Sequence, residues 1–328
     1  MNQQQWSGRP HSHPKRKLRG GEIALLAVSV LLLAAGIIGL TGVFRDHRAA
    51  EETNREQREI YYAEPENSEA PENTEEPDSA LPEPSAGMAS GTTAGETKAP
   101  DNGTPAFPAD ENLPPVPYPG NPSLAVSDRF QRLKAENPDI IGWIRIGKML
   151  DEAVVQRNNT FYMDHDSSGR QNVNGAVFLD EAISLETRPY TLILYGHNMK
   201  SGARFGCLRN YENTGFYTSY PFIIFNTRYE DGEYVVFSAC VVRTETGEPQ
   251  YLDLFRAYSR STEERRQAIE LLKAESRIPA RIDVRPEDQL LLLVTCVESD
   301  EERRVVAARR IRDGENRETL LEQIQADR

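Results

Sequence analysis

Cysteine and histidine are scarce in this chain of 328 residues, which has three cysteines and five histidines. Three cysteines cannot support the dense disulfide framework of a small secreted domain, and their odd number leaves at least one thiol without a partner inside the chain. A surplus of positive charge is also missing, because 38 Lys and Arg residues face 51 Asp and Glu residues. Nucleic-acid binding needs a basic face, so we predict no nucleic-acid partner.

The negative charge is concentrated in residues 51–120. This stretch contains sixteen acidic residues, three basic residues and twelve of the 21 prolines, and its net charge of −13 equals that of the whole chain. Such a composition buries too little apolar surface to offset the entropy lost on folding. We therefore predict a disordered, acidic and proline-rich linker over residues 45–121 and a folded domain over residues 122–328.

Residues 23–44 form a run of 22 uncharged, mostly apolar residues. A helix of that length reaches roughly 33 Å, enough to cross a hydrocarbon core of about 30 Å. Basic residues dominate before the run and mixed charges follow it. The positive-inside rule thus predicts a single-pass protein of the cell membrane, with residues 1–22 as a cytoplasmic basic tail and the folded domain outside the cell. A cleaved signal peptide is the alternative, but its apolar region is usually only about 7 to 15 residues long.

Short segments that are rich in β-branched or aromatic residues and bounded by turn residues follow in the folded domain. These segments are residues 140–146, 175–179, 191–195, 222–225, 234–242, 289–297 and 303–311. Seven or eight strands in about 200 residues predict a mainly β fold, either a closed barrel or a sandwich. Helices are predicted over residues 126–137, 261–276 and 317–326, and Ser261 and Glu264 form a capping box at the start of the second.

Few side chains of the folded domain can act as a nucleophile or a base. They are the histidines His165 and His197 and the thiols Cys207, Cys240 and Cys296. His197 directly follows an apolar strand, and Cys296 lies near the end of another, shortly before Arg303. A thiolate that attacks an amide, an imidazolium that protonates the leaving amine and a guanidinium that stabilises the oxyanion together make an acyl-transfer site.

These segments resemble a class B sortase over residues 128–311. The resemblance is carried by residues 137–146, 154–156, 159–163, 175–180, 194–199 (LYGHNM), 295–296 (TC) and 303–309 (RRVVAAR). It implies an eight-stranded sortase β-barrel with an N-terminal helix and a helix inserted before the strand that carries the cysteine. It also implies that His197, Cys296 and Arg303 are catalytic. No metal and no cofactor are expected.

The resemblance further implies a membrane-anchored cysteine transpeptidase. Its substrates would be secreted proteins with a C-terminal sorting signal, which it would cleave through a thioester and transfer to an amine of the peptidoglycan precursor. One alternative is a pilus-type class B enzyme that joins pilin subunits through a lysine amine. Another is a non-catalytic extracellular binding module on the same barrel.

Some residue assignments stay open between two interpretations. Arg303 and Arg304 lie on opposite faces of a strand, and the match to the family pattern RxVVxAR selects Arg303. Asn159 resembles a residue that contacts the signal, but it could equally form a turn. Thr295 could bind the substrate or simply belong to the strand.

Three departures from the family pattern limit what the resemblance implies about the signal, and one of them is a short loop between Cys296 and Arg303. Val294 stands where a serine is usual, and Ala153 stands where a proline is usual. We interpret Cys207 and Cys240 as structural residues, with a disulfide between them as the alternative.

Overall fold

The computed structural model describes residues 20–64, 112–243, 259–296 and 302–326. The chain divides into two compact units, Met1–Glu51 and Glu52–Arg328. All of the described strands lie in the second unit.

Eight strands form a closed barrel in this second unit. Around the barrel the order is β1-β2-β3-β4-β7-β8-β6-β5, and β5 closes the barrel by pairing with β1. The predicted eight-stranded barrel is therefore confirmed. In chain order the strands are β1 Ile140–Ile146, β2 Leu150–Val155, β3 Val177–Leu179, β4 Thr191–Tyr195, β5 Phe222–Thr227, β6 Glu233–Arg243, β7 Leu290–Cys296 and β8 Glu302–Arg310.

Strand β7 illustrates how the sequence produces this barrel. It begins with four leucines and a valine, lies between a parallel neighbour, β4, and an antiparallel neighbour, β8, and its leucines are fully buried. A strand that is covered on both faces is expected to be apolar throughout rather than to alternate. The continuous apolar run is therefore what a strand at this place requires.

Strand β2 is not predicted by the sequence pattern, because Asp151 and Glu152 interrupt its apolar residues. Glu152 is nevertheless buried, and its carboxylate forms an ion pair with the buried guanidinium of Arg204. Burial of a charge requires an opposite charge beside it. This partner lies 52 residues further along the chain, so the local pattern could not reveal it.

The helices are α1 Gly20–Tyr62, α2 Asp128–Glu136, α3 Thr214–Ser219, α4 Thr262–Ala274 and α5 Arg317–Gln325, with 3-10 helices at Phe161–Met163 and Phe205–Glu212. The helices predicted over 126–137, 261–276 and 317–326 correspond to α2, α4 and α5. Ser261 Oγ accepts a hydrogen bond from the backbone nitrogen of Glu264 at 3.3 Å, as the capping box predicts. Helix α4 buries Ala268, Ile269 and Leu272.

Helix α1 includes residues 23–44, which the sequence predicts to cross a membrane. Within the described part of the chain, no helix combines the length and the apolar character that a membrane crossing needs. The structure therefore does not support the transmembrane prediction.

The structure differs from the predicted linker, residues 45–121, at both ends. Helix α1 continues to Tyr62. On the other side, the backbone nitrogen of Leu113 donates to the oxygen of Arg260 at 2.7 Å, and the buried Tyr118 hydroxyl donates to the oxygen of Leu185 at 2.7 Å. Residues 65–111, the middle of the predicted linker, lie outside the described residues.

The last turns of α1, from Glu52 onward, pack on the barrel. The Tyr61 ring stacks on Trp143 of β1 with ring centroids 4.3 Å apart, and Phe130 of α2 contacts it at 5.7 Å. Gln57 accepts a hydrogen bond from the Ser167 hydroxyl at 2.7 Å. Because these contacts are buried, the compact unit begins near Glu52 rather than at residue 122.

Candidate active site

His197 lies two residues beyond the end of β4, after Gly196. Its Nε2 is 2.6 Å from the backbone oxygen of Met163. Because a carbonyl oxygen can only accept, Nε2 carries a proton and donates it to this bond. Nδ1 is then the ring nitrogen that can take up or release a proton, which is what an acid–base residue must do.

The backbone register brings His197, Cys296 and Arg303 to one end of the barrel. Strands β4 and β7 are parallel, with Tyr195 opposite Val294, so both run toward the same end. There β4 is followed by His197, and β7 finishes at Cys296. Strand β8 is antiparallel to β7 and begins at this end, with Arg303 directly opposite Cys296.

A cavity of about 330 Å³ lies at this end of the barrel. Its lining combines apolar side chains with a few polar groups, which is typical of a ligand site. His197, Arg303, Asn159 and Thr295, all predicted as site residues, line this one cavity, and Cys296 directly follows Thr295 in β7. The other lining residues are Met163, Ala176, Phe178, Tyr195, Gly196 and Val294.

The two adjacent arginines of β8 have different surroundings. Arg303 lines the cavity, and its Nη1 donates to the backbone oxygen of Glu302 at 3.0 Å. Arg304 donates instead to the carboxylate of Glu212 at 2.7 Å. Burial alone would raise the pKa of Glu212, but hydrogen bonds and charges from Arg304 and Arg277 bring that pKa below its usual value. Arg304 thus forms an ion pair with Glu212 on the face of β8 opposite to that of Arg303, as side-chain alternation requires.

Asn159 is held against the cavity by Asp180. Its Oδ1 accepts a hydrogen bond from the backbone nitrogen of Glu181 at 2.9 Å, and its Nδ2 lies 3.4 Å from Oδ2 of Asp180. The same carboxylate oxygen accepts a hydrogen bond from the Tyr195 hydroxyl at 2.9 Å. Because Tyr195 also lines the cavity, the buried Asp180 ties two walls of the site together.

Thr295 is 2% exposed, and its Oγ1 has no hydrogen-bond partner within the described ranges. Buried hydroxyls nearly always find a partner. Thr295 is one of the residues that line the cavity.

No family model matches the chain. Sortase B of Staphylococcus aureus (strain NCTC 8325 / PS 47) is 27% identical over 190 residues, which cover 57% of this chain and 75% of the relative. Sortase B of Listeria monocytogenes serovar 1/2a is 27% identical over 178 residues, which cover 52% of this chain and 68% of the relative. A solved Staphylococcus aureus sortase B–substrate complex matches with a TM-score of 0.50 and 27% identity, covering 58% of this chain and 88% of that chain.

These relatives and the solved structure are all class B sortases, so the resemblance seen in the sequence is confirmed. On this similarity the chain is identified as an enzyme, a cysteine transpeptidase of the sortase type.

Two thiols of this sortase are unsuited to nucleophilic attack. Cys207 and Cys240 are free and buried, so the alternative disulfide between them is not formed. Burial raises the pKa of Cys207 to about 12 and that of Cys240 to about 11. Because only the thiolate is a nucleophile, neither residue competes with Cys296 near neutral pH.

The sortase departs from its family pattern at one residue of the cavity wall. Val294 lines the cavity where a serine is usual, and an aliphatic side chain offers a bound peptide no hydrogen bond. Ala153, another departure, is buried in the apolar cluster around Trp143 and Tyr61. Of these two residues, Val294 is the one that changes the cavity wall.

Sequence reasoning missed Met163 and Asp180. Met163 contacts His197 through its backbone oxygen, so its side chain gave no signal. Asp180 directly follows β3, and His197 closely follows β4. A polar residue directly after a strand is a signal that could have identified Asp180. His165 has no place in the cavity lining; its ring stacks on Phe161 with centroids 4.0 Å apart.

In the part of the chain that the structure describes, no group of three or more His, Cys, Asp or Glu residues is placed to hold a metal ion. The expectation that the sortase needs no metal stays a prediction.

Proposed function

We propose that this sortase cleaves a C-terminal sorting signal on a secreted protein and transfers the protein to an amine. The observation that carries the proposal is the convergence of His197, Arg303 and the end of the Cys296 strand at one cavity. The similarity to a sortase B solved with its substrate supports the same reaction class.

In the proposed first step, the Cys296 thiolate attacks the carbonyl carbon of the scissile peptide bond. The carbonyl oxygen gains the electron pair of the double bond, and the Arg303 guanidinium stabilises this oxyanion. His197, protonated on both ring nitrogens, gives the Nδ1 proton to the leaving amine. The carbon–nitrogen bond breaks, and a thioester on Cys296 remains.

In the second step, an incoming amine attacks the thioester carbonyl. Neutral His197 takes the proton of that amine at Nδ1, and the Cys296 thiolate leaves as the new amide forms. The products are the joined protein and an enzyme in its starting protonation state. His197 acts as acid in one half and as base in the other, so the hydrogen bond from Nε2 to Met163 serves both halves.

Asn159 and Thr295 are proposed to bind the signal. Thr295 directly precedes the nucleophile and lines the cavity, so it would contact the bound peptide. The amide oxygen of Asn159 accepts a hydrogen bond from Glu181, and one N–H of its Nδ2 is directed to Asp180. The second N–H would then donate to the peptide. Phe178, Tyr195 and Val294 would receive apolar parts of the signal.

The proposal is tested by giving the purified protein short peptides based on class B sorting signals, together with either a glycine peptide or a lysine side-chain amine. We expect mass spectrometry to detect the ligated product. His197→Ala should lower its rate of formation by a factor of about 100 to 10,000, the usual contribution of an acid–base residue.

The choice of acceptor distinguishes the two transpeptidase alternatives. Ligation to glycine supports transfer to a cell-wall precursor, whereas ligation to lysine alone supports joining of pilin subunits. Peptide binding with neither cleavage nor ligation would contradict the proposed reaction and favour a binding module.

The location predicted from the sequence is also proposed, as a protein of the cell membrane with a cytoplasmic N-terminus and an extracellular catalytic domain. It is supported by the uncharged residues 23–44 and the basic residues before them. Protease added to intact cells should digest the barrel and spare an epitope placed at residue 2. Protection of the barrel until the cells are lysed would show that the proposed location is wrong.

A further inference from the structure

Arg204 closes the loop that carries His197. The backbone oxygen of His197 accepts hydrogen bonds from the nitrogens of Met199 at 3.0 Å and Phe205 at 3.1 Å, and Asn198 forms a β-bridge with Arg204. Arg204 has a φ of 52° and a ψ of −131°. Residues other than glycine seldom adopt a positive φ, and the strain persists only where surrounding contacts impose it.

The contacts that impose this conformation come from the guanidinium of Arg204, which is 3% exposed. It forms an ion pair with Glu152 of β2, which is equally buried. Its Nε donates to the backbone oxygen of Gly175 at 3.0 Å. Asn54 of α1 donates to the paired Glu152 carboxylate at 2.9 Å, so the ion pair is itself held from outside the barrel.

Gly175 packs directly against the ring of His197. A Cβ on Gly175 would lie 3.0 Å from Cδ2 of His197 and 2.8 Å from the backbone oxygen of Met163. That oxygen is the acceptor of the His197 Nε2 hydrogen bond. Gly175, whose carbonyl Arg204 holds, is therefore adjacent both to the imidazole and to the Met163 oxygen that fixes its tautomer.

We propose that Arg204, in its ion pair with Glu152, is a positioning residue for His197. Its backbone closes the loop that carries the histidine, and its guanidinium holds the carbonyl of Gly175, which is adjacent to the imidazole. The inference rests on the proposed role of His197 in transpeptidation. Because misplacement by about 1 Å can cost roughly 100-fold in rate, loss of Arg204 should lower kcat more than it weakens peptide binding.

The decisive variant replaces both partners, Glu152→Met together with Arg204→Met. Two apolar side chains leave no unpaired buried charge, a change that folded proteins tolerate well. We expect a cooperative thermal transition, a kcat for peptide cleavage lowered about 10- to 100-fold and a KM within about threefold of the original. The imidazole NMR signals of His197 should shift or broaden in the same variant.

A milder variant, Arg204→Lys, covers the case in which the double variant does not fold. Lysine keeps the charge beside Glu152, but its single ammonium group lacks the planar fork that reaches the carboxylate and Gly175 together. We expect a melting temperature near that of the original protein and a kcat still lowered about 10-fold, the lower end of the range for misplacement.

Arg309 and Glu315 provide the matched control. Arg309 is 1% exposed and pairs with Glu315, but it lies six residues along β8 from Arg303, roughly 20 Å away. Arg309→Met with Glu315→Met should lower the melting temperature and leave kcat within about twofold, because sites this far apart seldom couple. The His197 NMR signals should not change.

A Glu152 and Arg204 double variant with an unchanged kcat and unchanged His197 signals would overturn the inference. The same holds if the Arg309 and Glu315 variant loses as much activity at equal loss of stability. Activity that survives in His197→Ala would instead contradict the proposed function, so the two failures are distinguishable.

Discussion

Replacing Cys296 with alanine should abolish peptide cleavage and thioester formation. Cys296 ends β7 directly opposite Arg303, next to a residue of the cavity wall. Without its sulfur no covalent intermediate can form, and removal of a nucleophile can cost on the order of a million-fold in rate. A fluorescence-quenched sorting peptide measures cleavage, and the intact mass of the protein reports the thioester.

The matched controls are Cys207→Ala and Cys240→Ala. Both thiols are buried, and their raised pKa values of about 12 and 11 keep them protonated at neutral pH. Turnover should stay within a few-fold of the original, although loss of a buried side chain lowers stability slightly. Cleavage by the Cys296 variant, or its loss in either control, would show that the nucleophile has been assigned to the wrong cysteine.

Much of the barrel could be predicted because its signals are local. The apolar run of β7 and the capping residues of α4 reveal themselves within a few neighbouring positions. The same holds for His197 and Cys296, which stand out because each comes at or just after the end of an apolar strand. Local patterns thus give the strands and the position of the candidate catalytic residues along them.

The parts of the fold that the sequence does not predict depend on contacts between residues far apart in the chain. Strand β2 contains Glu152, whose burial is explained only by Arg204 and Asn54. The sequence places Tyr61 in the predicted linker because composition averaged over residues 51–120 hides one aromatic side chain that stacks on Trp143. Charge and proline content predict the average behaviour of a segment, but short apolar contacts at its ends decide where the compact unit begins.

Replacing Arg303 with alanine should lower kcat by a factor on the order of 100 to 1,000, the usual loss when a donor to an oxyanion is removed. Arg303 lines the cavity and pairs in register with Cys296, so its guanidinium is the cationic group of β8 that can face the developing negative charge. The loss should be in kcat, because the oxyanion exists only beyond the ground state. Steady-state cleavage of the sorting peptide separates kcat from KM.

Arg304→Ala is the control for the preceding variant, since it removes the same side chain one position along the same strand. Arg304 is paired with Glu212, which also pairs with Arg277. Its loss removes one of two cations beside that carboxylate and should lower the melting temperature slightly. Because Arg304 does not line the cavity, we expect kcat to stay within about threefold, consistent with two faces of one strand. Equal losses in the two variants, or a larger loss for Arg304, would contradict the assignment of Arg303 to the oxyanion.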